Sequence, residues 1–284
     1  MKIILTGSES HLVSKLQREL LNQGYAVQLF PIRGNSWNEN LIEKNDVVIH
    51  IAGVTPKKGI ATDLFYEVNH KKTKKLVSIC QEREIAHFIY ISTMAVYGEQ
   101  LRKIGDNPIG IDTPCDHPAH YGNSKLLAEN EVRSFPAVIK WTILRVPSLY
   151  DEVRQEYFDV FYNFACRAPI IPRFTFNTRR TLLSIDNLCS LLSAVIINQD
   201  DRFTNSILLP SDNCEYDVNR LFAKICADCG MKKCSVNVGR KLAKLLSRYF
   251  PFFLSFSLNA YYCDADAVKV PGKSIFDYQY LWRK

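Results

Sequence analysis

Glycine is scarce in this chain, which has 12 glycines in 284 residues, or about 4%, against roughly 7% in average proteins. A phosphate-binding loop built on several glycines must therefore be short or degraded. Long apolar runs are also missing, because no stretch reaches the roughly 18 uninterrupted apolar residues of a membrane-spanning helix. Met1–Gly7 turns polar after Ile3–Leu5 and does not resemble a signal peptide.

The cysteines do not form the pattern of a disulfide scaffold. Nine of them, an odd number, are scattered through the chain. Cys226 and Cys229 lie three apart with Cys234 nearby, but zinc needs four ligands and no second pair is spaced to complete the set. We therefore expect buried structural thiols, no metal site and a cytoplasmic protein.

Basic residues outnumber acidic residues only modestly. Lys and Arg number 36 against 29 Asp and Glu, which gives a formal net charge of +7. An excess this small and diffuse suits an anionic ligand but gives no reason to expect a nucleic acid. With 47% hydrophobic and 23% charged residues, the composition is that of an ordinary globular protein.

The first half of the chain alternates apolar strands with amphipathic helices. This alternation predicts βαβ units and an α/β fold with a doubly wound parallel sheet. The predicted strands are Lys2–Leu5, Tyr25–Phe30, Asp46–Ala52, Phe88–Ser92 and Trp141–Val146, and the predicted helices are Asp63–Arg83, Ser124–Arg133, Ser184–Asn198 and Asp217–Cys229.

The turn after the first strand is a candidate nucleotide site. Thr6-Gly7 ends the strand and a helix follows at once, where a dinucleotide diphosphate would bind helix N–H groups. Of the three glycines expected there, Gly7 alone is present, and Ser10 and Val13 occupy the other two positions. We predict that Gly7, Ser10, His11 and Leu12 bind the cofactor, although this motif is weak by itself.

The end of the second strand bears on the choice of cofactor. Phe30 stands where a carboxylate would bind the ribose of NAD, and Arg33 follows it. Arg33 could pair with the 2′-phosphate of NADP(H), although a solvated loop charge is an equally good interpretation. NADP(H) is therefore favoured and NAD(H) stays open.

Acid–base chemistry is predicted further along the chain. Thr93 ends the fourth strand at the carboxyl edge of the sheet, where such folds bind ligands. Tyr121 and Lys125 are four apart, on one face of a helix. An ammonium beside a phenol favours the phenolate, which makes a tyrosine a usable proton donor or acceptor. The pair alone occurs by chance in many helices, so the combination carries the argument.

The combined segments resemble the extended short-chain dehydrogenase/reductases, in the NAD-dependent epimerase/dehydratase branch. The resemblance covers most of the chain and implies a Rossmann-like α/β fold with a smaller C-terminal substrate domain. Arg179–Leu188 is similar to the signature of members acting on UDP-sugars, in particular bacterial 4-ketoreductases and 4-epimerases of N-acetylated amino sugars in surface-polysaccharide pathways. The segments in family order are Thr6-Gly7, Asp46–Gly53, Tyr66–Asn69, Ser92–Gly98, Tyr121–Glu129 and Leu144-Arg145.

The resemblance assigns roles to individual residues. It implies that Tyr121 is the acid/base, that Lys125 tunes it and binds the nicotinamide ribose, and that Thr93 orients the sugar oxygen. Asn69 would lie beside the cofactor. Arg180 would face the substrate diphosphate, although a solvated basic pair with Arg179 is an equally good interpretation. The further predicted contacts are Ala52, Gly53 and Pro147 for the cofactor and Ser148 for the substrate.

The resemblance also divides the chain. We predict an NAD(P)-binding Rossmann domain at 1–150, with a return at 181–205, and a substrate-binding domain at 151–180 and 206–284. Lys241–Leu258 is basic and then aromatic, and packing within the substrate domain is favoured over contact with a membrane. A homodimer is the family expectation.

The resemblance implies an enzyme that reduces a 4-keto group on a nucleotide-activated sugar, with Tyr121 protonating the oxygen. It favours a UDP-N-acetyl amino sugar as the substrate. A nucleotide-sugar 4-epimerase stays open, and the missing acid at Phe30 favours the reductase slightly. A 4,6-dehydratase is disfavoured because Met94, rather than an acid, follows Thr93. Because Ser10 and Val13 depart from the glycine pattern, a non-catalytic nucleotide-binding protein is a further alternative.

Overall fold

The computed structural model describes residues 1–34, 36–98, 101, 108–151, 156–197, 201–214, 216–249, 267–272 and 274 of the chain. The chain divides into two compact units. The first unit consists of Met1–Glu99, Ile111–Val146 and Leu188–Pro210. The second unit consists of Gln100–Gly110, Pro147–Asn187 and Ser211–Lys284.

Strands and helices alternate through the first unit and become shorter and less regular in the second. The strands are β1 (Ile3–Thr6), β2 (Val27–Phe30), β3 (Val47–His50), β4 (His87–Thr93), β5 (Lys140–Val146), β6 (Ser148–Tyr150), β7 (Ile170–Phe174), β8 (Arg179–Arg180), β9 (Leu182–Ser184), β10 (Ser206–Asp212), β11 (Tyr216–Asp217), β12 (Cys234–Val238) and β13 (Ala267–Val270). The helices are α1 (His11–Asn22), α2 (Thr62–Phe65), α3 (Lys72–Glu82), α4 (His120–Arg133), α5 (Glu156–Arg167), α6 (Ile185–Ile197), α7 (Val218–Asp228) and α8 (Arg240–Leu246).

The first unit is built on a parallel sheet in which strands follow the order β10-β5-β4-β3-β1-β2. Ile3 of β1 pairs with Val27 of β2 on one side and with Val47 of β3 on the other. Because β2 and β3 flank β1 on opposite sides, the winding direction reverses at β1. In α/β sheets, ligands bind at the carboxyl ends of the strands beside such a reversal. The predicted Rossmann-like α/β fold with a doubly wound parallel sheet is confirmed.

Two inner strands of this sheet are buried along their whole length. Every residue of β1 and of β3 is buried, as expected for a parallel sheet with both faces covered. On one face, Ile4, Val48 and Phe88 pack with Leu76 of α3 and Val132 of α4 in a single core cluster. Full burial of one such side chain contributes about 1.5–3 kcal/mol, so this layer fixes α3 and α4 on the sheet.

The helix predicted at Asp63–Arg83 is interrupted by a different helical geometry. A π-helix, Tyr66–Lys71, joins α2 to α3. Its wider turn changes which residues face the sheet, and Asn69 within it is completely buried. Amphipathic spacing at 3.6 residues per turn could not indicate this change.

The second unit contains a buried carboxylate that joins several elements. Oδ2 of Asp212 accepts hydrogen bonds from the hydroxyls of Tyr150 at 2.5 Å and Tyr216 at 2.7 Å. Its Oδ1 accepts from the backbone N–H of Ser184 at 3.0 Å and from Nδ2 of Asn187 at 2.6 Å. Four donors satisfy both oxygens and offset the cost of burying the group.

The two helices predicted in the C-terminal half are confirmed. The Ser184 hydroxyl accepts a hydrogen bond from the backbone N–H of Asn187 at 3.0 Å, in the first turn of α6. The Asp217 carboxylate accepts from two N–H groups in the first turn of α7, at 2.9 and 3.2 Å. Gly230, with φ of 63°, follows the end of α7. Among the described residues, no helix is both long and apolar enough to cross a bilayer.

The prediction of buried thiols is only partly correct. Cys226 is buried and Cys229 is half-buried, but Cys234 and Cys166 are exposed. Cys234 begins β12, which pairs with β7 in a two-stranded sheet, and the first four of the five residues of β12 are exposed. Within the described ranges, no group of three or more His, Cys, Asp or Glu residues could hold a metal ion. Cys263 lies outside the described residues.

Candidate cofactor and catalytic site

The turn after β1 comes very close to the loop after β3. Gly7 has φ of 88°, and a Cβ added there would lie 3.1 Å from both Cα and N of Ala52. The N–H of Ser10 donates to the carbonyl of Gly7 at 2.8 Å and closes the turn. Glycine is therefore required at Gly7 for two independent reasons, its left-handed backbone and the approach of Ala52.

A chain of buried hydroxyl and imidazole groups holds these two loops together. The Thr73 hydroxyl donates to the carbonyl of Asn69 at 2.7 Å, so Thr73 accepts a hydrogen bond from Nε2–H of His50 at 2.8 Å. Nδ1 of His50 then accepts from the Thr6 hydroxyl at 2.7 Å. Burial, with a smaller effect of Lys125, lowers the pKa of His50 to about 3, so the ring is neutral at physiological pH.

The same hydroxyl of Thr6 also accepts hydrogen bonds from the backbone N–H groups of Ile51 and Ala52, each at 3.1 Å. The end of β1 is thereby fixed against the loop that packs on Gly7. His50 is therefore a core residue with both ring nitrogens hydrogen-bonded. Its linking role was missed, because Thr6 and Thr73 are joined to it only by tertiary structure.

Asn69 fixes the loop after β3 from the other side. Its Oδ1 accepts from the N–H of Val54 at 2.7 Å, and its Nδ2 donates to the carbonyl of Val54 at 3.0 Å and to Oγ of Ser124 at 3.1 Å. A Cβ added to Gly53 would lie 3.0 Å from Oδ1 of Asn69. Every polar atom of this buried amide is therefore used to hold the loop against α4.

Lys125 places a buried ammonium beside that loop. Its side chain is 4% exposed, and Nζ donates to the carbonyl of Ile91 at 2.7 Å and lies 4.4 Å from the ring centroid of Tyr90. A Cβ on Gly53 would lie 3.7 Å from this Nζ. Burial lowers the pKa of Lys125 to about 7, against the opposing effect of Glu129.

A close backbone contact positions the predicted catalytic residues Thr93 and Tyr121. Thr93, at the carboxyl end of β4, is half-buried, and its Oγ1 accepts from the N–H of Ala95 at 3.2 Å. A Cβ added to Gly122 would overlap the carbonyl oxygen of Ala95. The first turn of α4 therefore packs directly on the turn that follows Thr93. Tyr121, next to Gly122, is half-buried and meets the ring of Phe65 edge-on at 5.9 Å.

Behind Thr93 lies a buried ion cluster. The completely buried carboxylate of Glu129 accepts from Oγ of Ser92 at 2.6 Å and from Nε and Nη2 of Arg145, the latter at 2.7 Å. Nη2 of Arg133 adds a fourth donor at 3.1 Å. The guanidinium of Arg145 in turn lies 4.8 Å from the ring centroid of Tyr97. The sequence motifs contain Glu129 and Arg145, but nothing in their spacing indicates that they pair.

Ser10 and Val13, which stand where glycines are expected after β1, place their side chains in different surroundings. Val13 is buried under α1 together with Leu12, and its side chain faces the core. Ser10 is the residue before the first helical residue of α1, and in the described structure its side chain makes no capping hydrogen bond. The N–H groups of the first turn are therefore not capped by the Ser10 side chain.

Arg33 does not stand alone at the end of β2. Its guanidinium pairs with the carboxylate of Glu9, which lies in the turn between β1 and α1. Both side chains are exposed. A carboxylate in this position opposes the approach of a phosphate group to Arg33.

Three of the predicted contacts belong to the second unit. Pro147 is buried, Ser148 is half-buried on β6, and Arg180 is half-buried on β8. Arg180 pairs with Tyr216 in an antiparallel register. The remaining predicted residues all belong to the first unit: Gly7, Ser10, His11, Leu12, Arg33, Ala52, Gly53, Asn69, Thr93, Tyr121 and Lys125.

The sequence profile of the RmlD substrate binding domain family matches residues 1–171, more than half of the chain, so the chain belongs to this family. The predicted resemblance to the extended short-chain dehydrogenase/reductases is confirmed. A relative is short-chain dehydrogenase/reductase family 42E member 1 from Homo sapiens, 26% identical over 179 residues. That match covers 58% of this chain and 45% of the human protein, so the chain spans about half the length of this curated relative.

Two solved structures illustrate the shared fold. The UDP-glucuronic acid 4-epimerase from Bacillus cereus, in complex with NAD, is 20% identical with a TM-score of 0.67, covering 92% of this chain and 95% of that chain. The dTDP-4-dehydrorhamnose reductase from Bacillus anthracis, in complex with NADP, is 21% identical with a TM-score of 0.64, covering 85% and 86%. At this level of identity the likeness shows the fold alone.

Proposed function

We propose that this chain is an NAD(P)-dependent oxidoreductase that reduces the 4-keto group of a nucleotide-activated sugar. The observation that carries the proposal is the buried ammonium of Lys125, one helical turn from Tyr121 and next to the loop at Gly53. Lysine is almost never buried without a carboxylate partner, and here Nζ donates its hydrogen bond to the backbone carbonyl of Ile91. Such a costly arrangement is typical of catalytic sites.

The residues present fit a dinucleotide. Gly7 allows the backbone approach that a diphosphate site needs, and the first turn of α1 offers N–H groups to an anion. Ala52, which Thr6 holds, and Gly53, which precedes the Val54 that Asn69 holds, would line the same site. The cofactor, when bound, supplies the hydride. Val13 faces the core, which supports the proposal that a diphosphate binds at this turn.

Three side chains would carry out the proton chemistry. The Tyr121 hydroxyl donates its proton to the oxygen of the carbonyl as this becomes an alcohol. The Lys125 ammonium stabilises the phenolate that Tyr121 leaves behind. The Thr93 hydroxyl donates a hydrogen bond to the same substrate oxygen and orients it.

The substrate class rests on the similar proteins and on the second unit. The names of the two solved structures, a 4-epimerase and a 4-dehydro-sugar reductase, share chemistry at position 4 of a nucleotide sugar. Arg180 and Ser148 are the proposed contacts to the substrate diphosphate, since a guanidinium offers several donors to phosphate oxygens. A UDP-linked N-acetyl amino sugar in a surface-polysaccharide pathway is the specific substrate that we propose.

A nucleotide-sugar 4-epimerase is the second candidate, and the pairing of Arg33 with Glu9 favours it. The carboxylate of Glu9 opposes a 2′-phosphate and therefore favours NAD(H). An epimerase oxidises and then reduces the same carbon, so it retains NAD and needs no external reductant.

The test is a titration of the purified chain with NADPH and NADH, followed by turnover of a UDP-4-keto-6-deoxy sugar. Tyr121→Phe is expected to bind cofactor normally and to lose roughly 10²–10⁴-fold in rate. Tight NAD(H) that copurifies with the protein, and conversion without added reductant, would favour the epimerase. If the folded chain binds neither cofactor, the enzyme proposal is wrong and a non-catalytic role gains support.

A further inference from the structure

Helix α8 has one face in the core of the second unit and an outer surface of mixed basic and apolar character. Ala243 is completely buried, and Leu246 packs against the core cluster of this unit. The guanidinium of Arg240 lies 5.3 Å from the ring centroid of Phe176. These contacts fix the rotation of the helix about its own axis, and with it the residues that face solvent.

The outer surface contains an apolar stripe and a basic stripe side by side. Leu242, Leu245 and Tyr249 are 44%, 60% and 76% exposed, and they follow the spacing i, i+3, i+7. The exposed cations Lys241, Lys244 and Arg248 follow the same spacing, one residue earlier. Residues three and seven apart lie on one side of a helix, so the two stripes run parallel along α8 and the turn after it. We call them together the α8 outer surface.

The charge of the surrounding sequence is of one sign. Residues 229–263 contain six Lys and Arg and no Asp or Glu. No acidic side chain within this part of the chain can therefore neutralise the α8 outer surface. The aromatic remainder of the predicted segment, Phe250–Leu258, lies outside the described residues.

We propose that the α8 outer surface docks the protein on an anionic lipid bilayer as a peripheral contact. Apolar side chains beside Lys and Arg on one helix surface suit the interface of a bilayer, where the leucines enter the acyl boundary and the cations meet lipid phosphates. An acidic protein partner would satisfy the cations but would leave the exposed leucines and Tyr249 without an apolar environment. The inward face packs within the second unit, as the family resemblance implies, and the outer surface binds lipid.

The experiment is flotation of the 284-residue chain with vesicles of equal parts phosphatidylcholine and phosphatidylglycerol, and with phosphatidylcholine alone. Binding is expected to the anionic vesicles, and it is expected to fall as salt rises, because salt screens exposed charges. Leu242→Ser/Leu245→Ser and Lys241→Gln/Lys244→Gln are each expected to weaken the affinity by roughly tenfold or more.

Matched control variants remove equivalent groups elsewhere. Leu21→Ser/Val138→Ser replaces two other exposed apolar residues, and Lys44→Gln/Lys71→Gln removes two other exposed cations. Both controls are expected to bind like the original chain, and thermal unfolding checks that every variant is folded. Binding that survives both α8 variants, or no binding of the folded original chain to anionic vesicles, overturns the proposal. Light scattering measures the molar mass of the protein and tests whether a second copy binds the α8 outer surface instead. A dimer that Leu242→Ser/Leu245→Ser converts to a monomer would assign the surface to that second copy.

Discussion

The turn after β1 and the junction of β4 with α4 both depend on a glycine, but they differ in what surrounds it. At the turn, Gly7 meets the backbone of Ala52, and the charged groups nearby, Glu9 and Arg33, are exposed. At the junction, Gly122 meets the carbonyl of Ala95, and the charged groups nearby, Lys125 and Glu129, are buried. One region is a backbone contact open to solvent, and the other is a backbone contact backed by a buried polar network.

This difference explains why one motif can change while the other is complete. Ser10 and Val13 replace glycines at the turn, where Val13 faces the core and Ser10 precedes the first helical residue of α1. At the junction, the buried side chains of Lys125, Glu129 and Arg145 have specific hydrogen-bond partners, and replacing one of them would leave a partner unsatisfied in a low-dielectric interior. The variants below test the comparison, from the largest expected effect to the smallest.

Glu129→Gln is expected to have the largest effect, because it leaves the buried Arg145 guanidinium without its carboxylate. Breaking a buried ion pair from one side costs about 3–5 kcal/mol in the free energy of unfolding. Urea denaturation measures the change. Glu131→Gln, on the same helix, is the control, since its carboxylate pairs with Lys74 and His70 at the surface and is worth about 0–1 kcal/mol. Equal losses in the two variants would contradict the comparison.

Gly122→Ala is expected to destabilise the chain by about 1–3 kcal/mol, because the added methyl group overlaps a backbone oxygen that cannot move freely. It is also expected to lower the reduction rate by displacing the turn that contains Tyr121. The readouts are urea denaturation and sugar-dependent cofactor oxidation. Gly239→Ala is the control, because the nearest atom to its added Cβ is Oγ1 of Thr175, at an ordinary 3.9 Å. A Gly122→Ala variant as stable as this control would show that the junction is loose.

Lys125 should make stability depend on pH. Burial lowers its pKa from 10.5 to about 7, so between these pH values the unfolded chain holds a proton that the folded chain has lost. The contribution of Lys125 to the free energy of unfolding therefore rises as pH increases from about 7 towards 10, by up to about 1.4 kcal/mol per pH unit. Unfolding of the original chain and of Lys125→Met, compared at about pH 7 and about pH 9, measures this slope. A stability difference between the two proteins that does not change with pH would refute the shift.

Glu9→Gln tests the exposed turn, where the smallest effect is expected. Removing the carboxylate frees Arg33 for a 2′-phosphate, so the ratio of NADPH to NADH affinity should rise on the order of fivefold. Cofactor fluorescence titrations give both dissociation constants. Glu67→Gln, which breaks an exposed pair with Lys71, should leave the ratio unchanged. An unchanged ratio in Glu9→Gln would mean that Arg33 does not reach the cofactor.

The fold was largely predictable from local patterns. Continuous apolar runs such as Val47–His50 indicate strands buried on both faces, and the parallel sheet confirms this interpretation. Cap residues indicate the helix ends, as with Asp217 before α7. The π-helix at Tyr66–Lys71 was not predictable, because hydrophobic spacing reports a helix without reporting its exact period.

The site was predictable as a set of residues but not as a network. Spacing placed Tyr121 and Lys125 on one helical face, and the order of motifs indicated Thr93 and Asn69. The sequence pattern could not indicate that the side-chain amide of Asn69 hydrogen-bonds Val54 and Ser124. Hydrogen bonds of this kind join residues far apart in the sequence, and no local pattern records them.

By itself, the sequence determined the alternation of strands and helices, the single glycine of the turn after β1 and the types of side chain at the carboxyl edge of the sheet. These properties are local, since they follow from apolar periodicity, backbone freedom and side-chain chemistry. Only the tertiary structure decided that Val13 turns into the core, that Glu9 meets Arg33 and that Lys125 loses its contact with water. Each of these depends on which distant groups share a small volume, and that volume fixes burial, dielectric and the available hydrogen-bond partners.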